Sequence, residues 1–240
     1  MLQRLSIKPI PPCERLIFAL DVPNQARALD LIDRLGDSIL FYKLGLELLM
    51  SGDYFKLIDW LLGLGKKIFA DLKFFDVPET VARAVRQLRN YGVHFATVHG
   101  NDRMLEAAAQ EKGTLKILAV TVLTSLDQGD LEDLGFTCDV EQLVLSRARR
   151  ALKLGCDGVI SSGLEAAKLR QELGDRFLIV APGIRPVENR QIDDQKRIVT
   201  VEQAFMNGAD YSVVGRPIRD AEDPRKAAED IQQTIKELFG

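Results

Sequence analysis

The sequence predicts an α/β protein with the (β/α)8 fold, the TIM barrel, on three observations. The chain has 240 residues, which is close to the usual length of such a barrel. Eight short apolar runs follow one another along it, and amphipathic stretches separate them. One run and one amphipathic stretch together occupy about 25 to 30 residues, the length of one βα unit. Eight such units favour a closed barrel over an open sheet.

The apolar runs are too short for helices and are rich in Ile, Val and Phe. This pattern is typical of parallel strands that are buried on both faces because helices cover the sheet. The predicted strands are residues 15–21, 39–43, 67–71, 94–98, 115–121, 158–161, 177–181 and 211–215.

Amphipathic helices are predicted at residues 24–35, 78–91 and 140–154, where apolar side chains recur at the helical period. Pro78 fits the first turn of its helix, because the N–H that proline lacks has no partner there. A doubly wound open sheet is the alternative fold, but it predicts a GxGxxG turn after the first strand, and Asp21 is followed by Val-Pro-Asn. We therefore expect a single barrel domain over residues 1–240, in which residues 1–14 form an irregular N-terminal arm.

Composition narrows the class of protein. Hydrophobic residues make up 46% of the chain and the net charge is −3, so the charge offers no bulk attraction to nucleic acid. Cys13, Cys138 and Cys156 are widely spaced and form no CxxC pair, while His94 and His99 have no third ligand at metal spacing. No apolar run reaches the roughly 18 residues of a membrane span, and none near the N-terminus has signal-peptide length. We expect a cytoplasmic protein with no bound metal, no membrane and no nucleic-acid partner.

The strongest cluster of polar residues is Asp71, Lys73 and Asp76. Asp71 and Lys73 are two residues apart at the end of a predicted strand, so in an extended chain both side chains enter the barrel interior. Neighbouring carboxylates hold a lysine in its ammonium form, which makes it a poor Schiff-base nucleophile but a good proton donor. The spacing therefore favours proton delivery to carbon. A simple helix-capping role is the alternative for Asp76.

A second cluster indicates phosphate binding. Gly215 and Arg216 come directly after the eighth predicted strand, and a short helix is predicted to begin at Pro217. Arg185 occupies the matching place after the seventh strand, and these two loops form the usual phosphate site of a barrel. The polar stretch at 187–200 is expected to be either a lid over this site or a plain surface loop.

These motifs together resemble the orotidine 5′-phosphate decarboxylase family in its bacterial form. The resemblance spans residues 16–218, and its specificity comes from the order and spacing of several motifs. The motifs are FALDVP at 18–23, YKLG at 42–45, DLKFFDVPET at 71–80, VTVLTS at 120–125, APGIRP at 181–186, DDQ at 193–195 and VGRPI at 214–218.

The resemblance implies decarboxylation of orotidine 5′-phosphate to UMP without a cofactor or metal, in pyrimidine synthesis. It implies that Lys73 protonates C6 as CO2 leaves and that Asp71 lies against the substrate carboxylate. It also implies a homodimer in which Asp76 enters the active site of the other subunit. The substrate-binding set that it implies is Asp21 and Lys43 for the ribose, Thr124 and Ser125 for the pyrimidine, Arg185, Gln195, Gly215 and Arg216 for the phosphate, and Thr80.

Two positions depart from the family pattern, since Phe75 stands where many members carry His and Glu79 where many carry Asn. Two other functions stay open at this point. One is a Mg²⁺-dependent sugar-phosphate lyase or synthase, because related barrels share the Asp-x-Lys-x-x-Asp array and stabilise an enediolate with the metal. The other is a phosphate-ligand binder without catalytic activity.

Overall fold

A computed structural model of the protein describes residues 4–184 and 198–240. In these two ranges, eight parallel strands pair in chain order, and the eighth pairs with the first, so that the sheet closes into a barrel. The (β/α)8 fold is therefore confirmed. The strands are β1 (Leu16–Ala19), β2 (Phe41–Leu44), β3 (Lys67–Phe74), β4 (Phe95–Val98), β5 (Lys116–Val120), β6 (Gly158–Ile160), β7 (Leu178–Ala181) and β8 (Tyr211–Val214).

Helices follow the strands and cover the outside of the barrel. Asn24 caps the first helix, because its side chain accepts a hydrogen bond from the N–H of Arg27. Pro78 opens the fourth helix, as its position predicts. The α-helices of the described residues are α1 (Gln25–Leu35), α2 (Leu46–Met50), α3 (Tyr54–Gly63), α4 (Pro78–Arg89), α5 (Asp102–Glu111), α6 (Gln128–Asp133), α7 (Val140–Lys153), α8 (Ala166–Leu173), α9 (Val201–Met206), α10 (Arg216–Arg219) and α11 (Pro224–Phe239).

Each predicted strand overlaps a strand of the barrel, and the clearest difference lies in β3. Its predicted end is Asp71, whereas the strand continues to Phe74. The register with β4 shifts in between, from Ala70 opposite Ala96 to Phe74 opposite Val98. Three residues of β3 therefore face the single residue Thr97 of β4, which is a β-bulge. Pairing resumes after the bulge, and for that reason the strand runs further than its apolar run indicates.

Side chains alternate between the inside and the outside of the barrel along each strand, and this alternation divides the hydrophobic core into two layers. Side chains such as Ile17, Phe41, Phe69 and Phe95 fill the interior of the barrel, while the residues between them pack outward against the helices. Successive strand residues point to opposite faces. Two residues beyond Phe41 and Phe69, the same interior rows reach Lys43 and Asp71. The interior rows thus pass from packed aromatic side chains to charged ones at the carboxyl ends of β2 and β3.

Residues 4–14 of the N-terminal arm lie at the opposite end of the barrel. Its residues 12–14 form a 3-10 helix, and Lys8 Nζ lies 3.1 Å from Oδ1 of the fully buried Asp210. Ser6 also donates a hydrogen bond to Asp210, and Arg170 Nη2 lies 2.7 Å from Asp210 Oδ2. Asp210 thereby joins the arm to α8 and to the start of β8.

Candidate active site

A cavity of about 510 Å3 opens at the carboxyl ends of the strands. Barrel enzymes place their functional residues at this end. One part of its wall is apolar, with Phe69, Ile160 and Val213 at the base. The polar residues that line it are Asp21, Lys43, Asp71, Lys73, Thr124, Ser125, Arg216 and Arg219, together with the backbone of Gly215.

Four charged residues at the carboxyl ends of the first three strands form a continuous chain of ion pairs. Lys43 Nζ lies 3.0 Å from Asp21 Oδ1 and 3.3 Å from Asp71 Oδ2. Lys73 Nζ lies 2.9 Å from the other oxygen, Asp71 Oδ1. Asp71 thus holds one ammonium on each carboxylate oxygen, and Lys43 occupies the space between the two carboxylates.

Burial and charge act in opposite directions on this chain. Burial alone raises the pKa of Asp71, but the charges of Lys43 and Lys73 outweigh it and hold the pKa below its ordinary value. Burial alone lowers the pKa of Lys43, but Asp71 and Asp21 raise it above its ordinary value. The structure therefore stabilises an ionised carboxylate and a protonated lysine at neutral pH.

The backbone at Lys73 is unusual. Its φ angle is +46°, in the left-handed region that side chains other than glycine rarely adopt. The premise of a plain extended strand is thus wrong at this residue, although Lys73 still faces the same cavity as Asp71. The bulge of β3 supplies the local turn that this φ requires.

Thr97 of β4 lies opposite the bulge, and nothing in the sequence pattern singled it out. Its side-chain oxygen accepts a hydrogen bond from the backbone N–H of Lys73 at 2.9 Å and donates one to Asp71 Oδ1, also at 2.9 Å. Arg219 is a second residue that the motifs did not indicate. It lines the cavity, and its Nη1 donates to the backbone oxygen of Asp21 at 2.9 Å.

The loops after β5 and β8 bring the other predicted contacts to the rim. Thr124 and Ser125 lie in the turn that follows β5. After β8, Gly215 is the N-cap of α10, which begins at Arg216, one residue before the predicted start at Pro217. A Cβ atom at position 215 would lie 3.3 Å from the Cβ of Ala19. A glycine therefore lets the β8 loop approach the end of β1 closely.

Two predicted site residues lie away from this cavity within the chain. Asp76 and Thr80 are exposed, and neither lines the cavity. Asp76 Oδ1 accepts a hydrogen bond from the N–H of Val77 at 2.6 Å, one residue before α4 begins. Arg185 and Gln195 lie outside the described residues, as does most of the predicted lid at 187–200.

The two histidines occupy different ends of β4. His94 Nδ1 accepts a hydrogen bond from the backbone N–H of Ile68 at 3.3 Å. The ring of His99 packs edge-on against Phe75, with ring centres 5.6 Å apart. Burial, and then the charges of Arg147 and Lys73, lower the pKa of His99, which favours a neutral ring. No group of three or more His, Cys, Asp or Glu side chains in the described part of the chain is arranged to hold a metal ion.

Fold and cavity together define a barrel protein with alternating Lys and Asp side chains at the carboxyl ends of its first three strands. Residues 14–231 match the model of the "Orotidine 5'-phosphate decarboxylase / HUMPS family", and the chain belongs to this family. It is 67% identical over 235 residues to the orotidine 5′-phosphate decarboxylase of Methylococcus capsulatus, covering 98% of this chain and 97% of the relative. It is 52% identical over 229 residues to that of Stenotrophomonas maltophilia, covering 95% of each.

A solved structure has the same architecture. The crystal structure of orotidine 5′-phosphate decarboxylase from Lactobacillus acidophilus superposes with a TM-score of 0.82 at 37% identity, over 92% of this chain and 99% of that one. The family expected from the sequence motifs is therefore confirmed.

Proposed function

We propose that this chain decarboxylates orotidine 5′-phosphate to UMP, without a cofactor, and that Lys73 donates the proton to C6. The single observation that carries the proposal is the contact of 2.9 Å between Lys73 Nζ and Asp71 Oδ1 inside the cavity. Family membership supplies the substrate, because the relatives of this chain are decarboxylases of orotidine 5′-phosphate.

In this reaction the bond between C6 and the carboxylate breaks, and the electron pair stays on C6. That carbanion is not delocalised into the ring, so the site must supply positive charge and a proton. Lys73 Nζ then transfers a proton to C6, and a C–H bond replaces the lost bond. The Lys73 side chain is 35% exposed, so the neutral amine regains its proton from water.

Asp71 contributes through its fixed negative charge. Two carboxylates about 4 Å apart repel by about 4 kcal/mol at an effective dielectric near 20. The substrate carboxylate beside Asp71 loses this repulsion as it leaves as neutral CO2, while Lys43 keeps Asp71 ionised. The same pairing places Lys73 where the carbanion develops.

The phosphate and pyrimidine are assigned to the loops at the rim. Gly215 and Arg216 after β8, with Arg185 and Gln195, are proposed to hold the phosphate, and Thr124 and Ser125 the pyrimidine. Asp21 and Lys43 are proposed to hold the ribose. Binding at the phosphate, remote from C6, is expected to orient the reacting group and so raise the rate.

The exposed position of Asp76 supports a homodimer with shared active sites. Phe75 and Val77, on either side of it, are 66% and 62% exposed, so two neighbouring apolar side chains flank Asp76 at the surface. We infer that this segment packs against a second copy of the chain and delivers Asp76, with Thr80, to the partner's site. Mixing inactive Lys73→Ala and Asp76→Ala proteins is then expected to restore part of the activity in hybrid dimers. Absence of restored activity after demonstrated subunit exchange would count against shared sites.

The decisive assay follows the absorbance of orotidine 5′-phosphate with purified protein in excess EDTA. We expect decarboxylation to continue, because the space between Asp21 and Asp71 already holds the Lys43 ammonium. Loss of all turnover, with Mg²⁺ restoring activity on a pentulose or hexulose phosphate, would support the sugar-phosphate alternative. Equal ligand binding by the wild type and Lys73→Ala, with turnover by neither, would support a binder.

We also infer that the protein acts in the cytoplasm as a single barrel domain, with no nucleic-acid partner. Cys13, Cys138 and Cys156 are all unpaired thiols, which fits a reducing compartment. Among the described residues no helix is both long and apolar enough to cross a membrane.

A further inference from the structure

The β-bulge in β3 leaves the backbone N–H of Lys73 without a ladder partner on β4. Between the pairs Ala70–Ala96 and Phe74–Val98, Asp71, Leu72 and Lys73 face only Thr97. An unpaired N–H inside a protein is costly, so it needs another acceptor. The side-chain oxygen of Thr97 is that acceptor, at 2.9 Å.

The hydroxyl of Thr97 also makes a second hydrogen bond. It donates its hydrogen to Asp71 Oδ1, the oxygen that also contacts Lys73 Nζ. The fully buried side chain of Thr97 therefore contacts both the backbone of Lys73, the proposed proton donor, and the carboxylate of Asp71, which orients that lysine. Thr97 does not line the cavity, so it reaches a substrate only through these two residues.

Lys73 also holds a backbone conformation that is unfavourable by itself. Its φ of +46° is retained only where the surroundings impose it. Before the bulge, Ala70 pairs with Ala96, and after it, the N–H of His99 donates to the oxygen of Phe74 at 3.0 Å. Among the hydrogen bonds that the structure describes within the bulge, the one from Lys73 N–H to Thr97 fixes the residue that carries the unusual φ.

We infer that Thr97 is a positioning residue of this active site, whose hydroxyl holds Lys73 in its left-handed conformation and aligns Asp71 with the Lys73 ammonium. This inference deepens the proposed function and rests on it for the activity readout. The charge balance supports it as well. Burial favours a neutral Asp71, and the charges of Lys43 and Lys73 together with the Thr97 hydrogen bond lower its pKa.

The test compares three variants. Thr97→Val keeps the shape and removes the hydroxyl, Thr97→Ser keeps the hydroxyl, and Thr121→Val is the matched control. Thr121 is also a buried threonine at a strand end, but its hydroxyl donates to the backbone oxygen of Ile160 at 2.9 Å.

We expect Thr97→Val to lower kcat by about tenfold to a hundredfold, which corresponds to one lost hydrogen bond to a charged group. UMP affinity is expected to stay within about threefold, because the product lacks the carboxylate that Asp71 faces. In the pH profile of kcat, the acidic limb is expected to move toward neutral pH. The reason is that Asp71 loses the hydrogen bond from Thr97, so the pKa of Asp71 rises. Thr97→Ser and Thr121→Val are expected to keep kcat and the profile close to the wild type.

Crystal structures of Thr97→Val and Thr97→Ser provide a readout that does not depend on activity. We expect Lys73 in the valine variant to leave its positive φ or its contact with Asp71, and to keep both in the serine variant. An unchanged Lys73 and an unchanged kcat in Thr97→Val would overturn the inference. Thr97→Ala removes the same hydroxyl and serves if the valine variant does not fold. If the wild type itself fails to decarboxylate, the proposed function is wrong, and the crystal structures still decide the role of Thr97.

Discussion

Replacing Lys43 with methionine tests the charge chain most directly. The substitution keeps a flexible side chain of similar length and removes the ammonium that lies 3.3 Å from Asp71 Oδ2. Two unit charges at 3.3 Å attract by about 5 kcal/mol at an effective dielectric near 20, before desolvation is subtracted. The contact with Asp21 adds less, because the Asp21 side chain is 44% exposed and solvent screens it.

Removal of one partner from a buried pair typically costs about 3–5 kcal/mol, because the other charge stays buried. In a domain of this size each kcal/mol shifts the melting temperature by about 2–4 °C, so we expect Lys43→Met to melt about 10 °C below the wild type at neutral pH. Thermal unfolding followed by circular dichroism measures this gap. Lys226→Met is the control, since it removes an exposed pair with Asp230 and is expected to change stability by less than about 0.5 kcal/mol.

The pH dependence of this difference in melting temperature tests whether the charge of Asp71 causes it. The pKa of Asp71 is lowered in the folded wild type, so its ionised form contributes stability above its unfolded pKa, and this contribution is lost as the pH falls through the folded value. Without Lys43, burial is less opposed and the pKa of Asp71 rises. At mildly acidic pH, protonation of Asp71 removes the unpaired buried charge of the variant. The difference in melting temperature between the wild type and Lys43→Met is therefore expected to narrow. If Lys43→Met melts at the same temperature as the control at neutral pH, or if the gap widens on acidification, Lys43 does not stabilise the fold by pairing with an ionised Asp71.

Three further predictions concern other parts of the molecule. Asp210→Asn is expected to lower the free energy of unfolding by about 3–5 kcal/mol, because Asp210 is a buried partner of two cations at the end of the barrel remote from the cavity, and kcat should not change; denaturant unfolding and a steady-state assay check both. Arg219→Gln is expected to raise KM about fivefold with a smaller change in kcat, because the hydrogen bond to the backbone of Asp21 is lost; an unchanged KM would contradict that role. Burial raises the pKa of Cys156 to about 12, so a thiol reagent at about pH 8 should label the exposed Cys13 first and Cys156 only on unfolding; mass spectrometry of the labelled peptides distinguishes the two.

The sequence was sufficient for the barrel because the information is local and repeated. Each strand appears as a short apolar run, and neighbouring elements follow in chain order. That Asp71 and Lys73 face the same cavity was also predicted from their spacing, although the bulge rather than a plain extended strand brings the two side chains together. The pairing of Lys43 with Asp71 could not be predicted from local spacing, because the distance between the two residues depends on how their strands are aligned.

The bulge in β3 and its consequences could not be predicted from local sequence patterns. Register between strands is a tertiary property, so the positive φ of Lys73 and the role of Thr97 leave no periodic trace in the sequence. Thr97 looks like an ordinary β-branched strand residue. Arg219 lies in a helix of only four residues whose placement against β1 depends on closure of the whole barrel.

Closure of the barrel also has a consequence for the order in which the chain folds. Asp210 joins Ser6 and Lys8, which precede it by 204 and 202 residues. During synthesis the N-terminal arm leaves the ribosome long before its partner exists, and contacts between such distant residues form slowly. We expect ribosome-bound chains that end before Asp210 to stay sensitive to protease and to become resistant once β8 and α11 have emerged. Ser6 and Lys8, made about 200 residues before Asp210, would then be among the last residues to reach their final place.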